Sequence, residues 1–188
     1  MAGANWSLPT KAEIGGRVYR LNTDYRDVLE IIGYLQEEKS PQAAVHIALA
    51  LFYEEYDDLP PRHWREALDY LTSFLACFEQ DDGKPHPKLI DWEQDYTVIV
   101  ADINKVAGTE VRALEYMHWF TFIAFFNSIG EGQLSTLVSI RQKVQKRKKL
   151  EKWEQEFYRQ NRHKVDFRTK YTPEELAEQA RWKERLGR

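Results

Sequence analysis

The chain has 188 residues, 43% of them hydrophobic and 30% charged, which is enough apolar material for one buried core and too much for wholesale disorder. A formal net charge of −3 excludes the global cationic field that draws a protein to nucleic acid, so any basic function must be local. One cysteine, Cys77, makes no internal disulfide; Met1 to Pro9 lacks a secretory pattern, and no run approaches the ~20 apolar residues of a membrane span, so a reducing cytoplasm and no membrane contact are expected.

Lys11 to Ile14 and Arg17 to Leu21 flank Gly15-Gly16, and paired glycines supply the positive φ angles of a two-residue hairpin turn. Asn22-Thr23-Asp24 then offers side-chain oxygens to a helix running to about Lys39, with Val28, Leu29, Ile31, Ile32 and Leu35 as its apolar side. Ser40-Pro41 places a capping hydroxyl before a proline, and Ala43, Ala44, Ile47, Ala48, Leu51 and Phe52 recur at helical spacing behind it. Leu59-Pro60-Pro61 breaks the chain, and a third helix carries the stripe Trp64, Ala67, Leu68, Leu71, Phe74, Leu75 and Phe78.

Asp81 to Pro87 reads as an exposed connection. Beyond it the pattern predicts a helix over Asp91 to Ala107, ended by Gly108, and a second, apolar around most of its circumference, over Ala113 to Ile129. Gly130 and Gly132 stop that helix, and Leu134, Leu137, Val138 and Ile140 begin another whose apolar content falls away through Arg141 to Lys149. After Leu150 the charged sequence, with isolated Trp153, Phe157, Tyr158, Val165 and Phe167, suggests a projecting helix with a thin sticky stripe. Thr172-Pro-Glu-Glu175 opens a last short helix anchored by Trp182 and Leu186. The fold expected is mainly α: a helical bundle with a small N-terminal β-hairpin and an extended charged C-terminal helix. Residues 1–80 hold the hairpin and three helices, 81–88 the connection, 89–140 the apolar helical region and 141–188 the tail, with 8–140 forming one compact domain.

The search for chemistry yields little. His46, His63, His86, His118 and His163 sit on different predicted elements, and none is spaced as a metal pair. His118, between Met117 and Trp119, reads as a core histidine bonded to a carbonyl or carboxylate. Cys77 lies in Leu75-Ala-Cys-Phe78, the context of a buried thiol with a raised pKa. Asp91 and Asp95 share a helical face and could serve acid–base work, but helix starts gather acids for capping and for the dipole. Gly15-Gly16 and Gly130-Glu-Gly132 lack the context of a phosphate loop. No catalytic residue, cofactor or metal is assigned, and no enzyme is expected. The run Arg141, Lys143, Lys146, Arg147, Lys148 and Lys149 is the one local basic feature that could meet phosphate. A solvated helix exchanging salt bridges with nearby acids is the simpler reading of it.

Three segments together resemble the bacteriophage gene-product-fifteen family. Leu21-Asn-Thr-Asp-Tyr-Arg26 looks like that family's approach to its first helix, and Ile90-Asp-Trp-Glu-Gln-Asp95 is similar to the acidic-aromatic opening of a later one. Tyr116-Met-His-Trp-Phe120, with Phe122 and Phe126, is similar to a segment that usually reads Leu-His-Trp-Trp, so Met117 and Phe120 depart from it conservatively. Ser139-Ile-Arg141 then matches the helix that commonly follows. The resemblance runs from about Leu8 to Phe167 and does not extend past Tyr171.

The resemblance implies a protein encoded between the major tail protein and the tape-measure protein of a long-tailed phage, working as a tail assembly chaperone in the cytoplasm of the host bacterium. It brings no catalytic residues with it. The partner implied is the tape-measure or another tail protein, and self-association is compatible with the same role. Trp153, Phe157, Tyr158 and Trp182, thinly anchored aromatics on amphipathic helices, are the expected partner-binding residues. Two other classes stand beside this one: a permanent structural component of the tail, and a nucleic-acid adaptor acting through residues 141–149, the weaker of the two.

Overall fold

A computed structural model describes residues 7–36, 40–79, 83–84, 87–168, 177–178 and 181–182. At its N-terminal end Gly15 and Gly16 hold φ of 59° and 78°, the mirror-image turn that matches strand twist, and they join β1 (Lys11–Ile14) to β2 (Arg17–Arg20). The pairing is antiparallel, with Lys11 opposite Arg20 and Ile14 opposite Arg17. Ala12, Ile14 and Tyr19 face inward, and Tyr19 meets Tyr53 edge to face at 6.0 Å.

Three helices follow as the spacing predicts. Asp24 caps α1 (Tyr25–Leu35), accepting from the Arg26 amide at 3.0 Å, while Val28 and Ile31 are buried. Pro41 opens α2 (Pro41–Phe52), but the expected Ser40 hydroxyl cap does not form; the Ser40 carbonyl accepts from Ala44 instead. The α3 helix (Trp64–Leu75) ends three residues before the predicted stripe does. Cys77 and Phe78 both take left-handed φ angles, 52° and 59°, and the Phe78 amide bonds the Ser73 carbonyl at 2.7 Å.

The apolar second half departs further from its pattern. The helix expected from Asp91 starts later, as α4 (Tyr96–Ala107), because the Asp91 carboxylate draws the Glu93 and Gln94 amides into a turn. Gly108 closes it with a φ of 68°, as expected. The continuous helix predicted over Ala113 to Ile129 does not form. Val111–Ala113 is a short 3-10 turn, residues 114–115 bend, 116–118 follow without helix, and α5 (Trp119–Asn127) begins after them. Periodicity could not reveal this, since the stretch is held by bonds to residues ~90 positions away.

The chain divides into two units, one formed by residues 1–86 and 98–132 and the other by 87–97 and 133–188. The first unit buries Phe52, Tyr53, Leu71, Phe74, Ile103, Trp119 and Phe122. In the second, α6 (Gln133–Gln145) is followed by a turn in which Arg147 takes a φ of 52°. Two short helices follow, α7 (Lys152–Gln160) and α8 (Arg162–Val165), in place of one long projecting helix. Glu151 and Glu154 form a capping box at the start of α7. Leu137, Ile140 and Val165 make the core here, with Leu150, Phe157 and Tyr158 packed against it. The class is therefore the mainly helical one expected, with an N-terminal hairpin. The helix expected from Thr172 lies largely outside the described residues.

Candidate functional site

Two of the resemblance motifs, residues 21–26 and 116–120, meet in the first unit. Residues 23–25 and 117–119 pair as a short antiparallel bridge, Tyr25 amide to Met117 carbonyl at 2.9 Å and Trp119 amide to Thr23 carbonyl at 2.8 Å. Asp24 sits at the centre. Its Oδ2 accepts from the Met117 amide at 3.0 Å, and both oxygens take the Arg26 guanidinium, at 2.7 and 2.9 Å. Burial pushes this carboxyl up, but the Arg26 guanidinium and the amides of Arg26 and Met117 outweigh it and hold it below its ordinary value. Arg26 also donates to the Glu115 carbonyl, and the Thr23 and Tyr116 hydroxyls bond at 2.7 Å.

His118 is the N-cap of α5. Its Nδ1 accepts from the Phe120 amide and its Nε2 lies 3.0 Å from the Pro9 carbonyl oxygen, so the tautomer protonated at Nε2 satisfies both. This is the core histidine bonded to a carbonyl that the sequence suggested. Trp119 donates to the Leu75 carbonyl at 3.1 Å, and Tyr25 stacks on Phe122 at 4.5 Å. The motif side chains thus fasten α1 to the stretch before α5.

The motif at residues 90–95 does the equivalent work in the second unit. Asp95 and Arg141, each 2% exposed, form a two-pronged pair at 2.5 and 2.8 Å. Arg141 further donates to the carbonyls of Leu89, Lys164 and Val165 and lies 4.2 Å from the centroid of the Phe167 ring. Asp91 bonds turn amides and Lys88. The Asp91 and Asp95 carboxylates are thus engaged in capping and ion pairing, the bland alternative to acid–base chemistry.

The basic run is divided. Arg141 is buried, a correction to its place among solvated cations, and Lys143 bonds Glu154 at 2.6 Å, holding that carboxyl below its ordinary value. Lys146, Arg147, Lys148 and Lys149 are exposed, but they lie beyond α6, on the turn and the segment after it, not on one continuous helix. The four aromatics separate as well. Phe157 and Tyr158 fold back as core, and Tyr158 donates to Asp166 at 2.8 Å, whereas Trp153 and Trp182 are 57% and 55% exposed. Cys77 is half-buried, and burial pushes its thiol up to about 11, which makes it a poor nucleophile.

Sequence reasoning missed a groove of about 580 Å³ in the second unit. Arg159 and Gln160 at the end of α7 form one side, Arg162 and His163 of α8 another, and Phe167 and Arg168 complete it. The available signal was the clustering of Arg159, Arg162, His163 and Arg168 within ten positions: the first three share one face of a helix, but a single straight helix would have put Arg168 opposite them. The end of α8 at Val165 lets the chain bring Arg168 to the other three.

Among the described residues no buried side-chain nitrogen or oxygen lacks a hydrogen-bond partner, no group of three metal-ligating side chains is present, and no helix is long and apolar enough to cross a membrane. Comparison with curated proteins and with solved structures gives no match. A family model does match, over residues 5–167, which include all three motifs, and the chain therefore belongs to the bacteriophage Gp15 protein family.

Proposed function

We propose that this phage protein acts in tail assembly, as a non-catalytic chaperone that binds the tape-measure protein until tube subunits enclose it. The observation that carries this reading is the division of labour among its side chains. The polar motif residues are consumed in fastening backbone segments, while Trp153 projects from an amphipathic helix with 57% of its surface exposed. An indole held outward on a short, capped helix offers a large apolar contact at small ordering cost, which suits a partner with long apolar helical stripes.

The test is co-expression with the tape-measure protein encoded nearby, followed by size-exclusion chromatography with light scattering. The expected result is a soluble stoichiometric complex that Trp153→Ala weakens by about tenfold or more without changing the protein's own melting temperature. An insoluble tape measure with this protein eluting alone refutes the chaperone role. Recovery of the protein from finished virions would move it to the class of permanent tail components.

A further inference from the structure

We infer that the groove bordered by Arg159 and Arg168 is a docking site for an acidic, carboxylate-bearing segment of a protein partner. The inference rests on reading this chain as a protein binder, not on which tail protein it binds. Three features carry it.

The first is unbalanced charge. Among the described residues that line the groove Asp166 is the one carboxylate, and it is already matched, accepting from Arg162 at 2.9 Å and from the Tyr158 hydroxyl. Among the described residues the Arg159 and Arg168 guanidiniums have no carboxylate partner, and both are exposed. A protein of net charge −3 thus concentrates two unmatched guanidiniums at one short groove.

The second is pre-organisation. The Arg141 guanidinium bonds the Lys164 and Val165 carbonyls at 2.6 and 2.8 Å. The Gln94 side chain donates to the Asp166 carbonyl at 2.9 Å and accepts from the Arg168 amide at 2.9 Å. Two motif side chains therefore fix the backbone that presents the groove, which lowers the ordering cost of binding there. The Phe167 ring that lines the groove is itself held in place by the Arg141 guanidinium at 4.2 Å and the Lys88 ammonium at 5.2 Å.

The third is selectivity among anions. Planar guanidinium forks fit carboxylates as well as phosphates, and the groove already displays a guanidinium–carboxylate pair in Arg162 and Asp166. A long polyphosphate would also meet the net negative field of the whole protein, while a short acidic segment samples mainly the local field. Trp153 and Gln160 lie seven positions apart on α7, hence on one face and about 10 Å along the axis, so a segment seated in the groove could also reach the indole.

The test is fluorescence anisotropy of a labelled oligoglutamate peptide on the full chain, with an oligo-dT of equal formal charge as comparator. The expected result is binding of oligoglutamate that Arg159→Gln with Arg168→Gln weakens by about tenfold or more, while Lys148→Gln with Lys149→Gln, an equal change of charge, leaves it within about twofold. Circular dichroism and melting should be unaltered in both, since all four side chains are exposed. Absence of oligoglutamate binding, or equal weakening by the two double variants, overturns the assignment. Tighter binding of oligo-dT lost on the arginine variant makes the groove a phosphate site and overturns it too. If oligoglutamate binds as expected while the tape measure is not held, the groove stands and the chaperone reading falls.

Discussion

Replacing Asp95 by alanine removes both carboxylate oxygens from a guanidinium that is 2% exposed and leaves its charge in place. Breaking one side of a buried pair costs ~3–5 kcal/mol, most of it the penalty of the stranded ion. Here three backbone carbonyls, of Leu89, Lys164 and Val165, stay on Arg141 and soften that penalty, so the expected loss is about 3 kcal/mol, at the low end. With an m-value of ~2 kcal/mol/M in urea the unfolding midpoint falls by ~1.5 M. Because the pair lies within the unit formed by 87–97 and 133–188, hydrogen exchange read by mass spectrometry should accelerate there first. Amides near Val28 and Ile31 should keep their protection. The double change Asp95→Leu with Arg141→Met, which strands no charge, should recover much of the loss. A cost below about 1 kcal/mol for Asp95→Ala, or a uniform rise in exchange over both units, would refute the view that this pair organises the second unit.

Two further outcomes are expected. The Asp24 carboxyl titrates below its ordinary 3.8 in the folded chain, so the stability its charge contributes is fully present above that value and is lost as pH falls through the lower folded value. Asp24→Asn should therefore be less stable than the parent at neutral pH, with the gap narrowing in urea titrations below about pH 4; a gap that does not change with pH would be contrary to this. In the hairpin, a Cβ on Gly15 would lie 2.6 Å from the His63 ring, while one on Gly16 meets nothing within 4 Å. Both positions have positive φ, which costs an alanine ~1–2 kcal/mol, so Gly15→Ala should lower the melting temperature more than Gly16→Ala, the excess measuring the displaced imidazole. Equal losses would mean that the ring moves aside freely.

The local signals in this sequence were strong where a single segment decides the outcome. Gly15-Gly16 set the hairpin, Asp24 and Pro41 marked two helix starts, and the burial of Val28, Ile31, Ala48 and Phe52 follows their spacing. The resemblance motifs were legible as patterns, but their purpose was not. That Asp24 holds the Met117 amide, and that Asp95 holds Arg141, depends on pairs 93 and 46 positions apart. The same limit explains the corrections. An apolar run from Ala113 to Ile129 satisfies helical periodicity throughout, yet residues 114–118 are drawn out of helix by bonds to residues 23–26.

The candidate site shows the division most clearly. Composition alone located positive charge at 141–149, and charge is additive along a sequence; direction is not. Tertiary packing buried Arg141, tied Lys143 to Glu154 and ended α8 at Val165, so that Arg168 came to share one groove with Arg159, Arg162 and His163. The sequence by itself determined the helical class, the hairpin and the residues that carry charge and apolar surface, because those follow from propensities and spacings within a few turns of chain. Which of those residues are spent inside and which are left facing a partner was decided only when distant segments competed for the same backbone hydrogen bonds, a competition with no local signature.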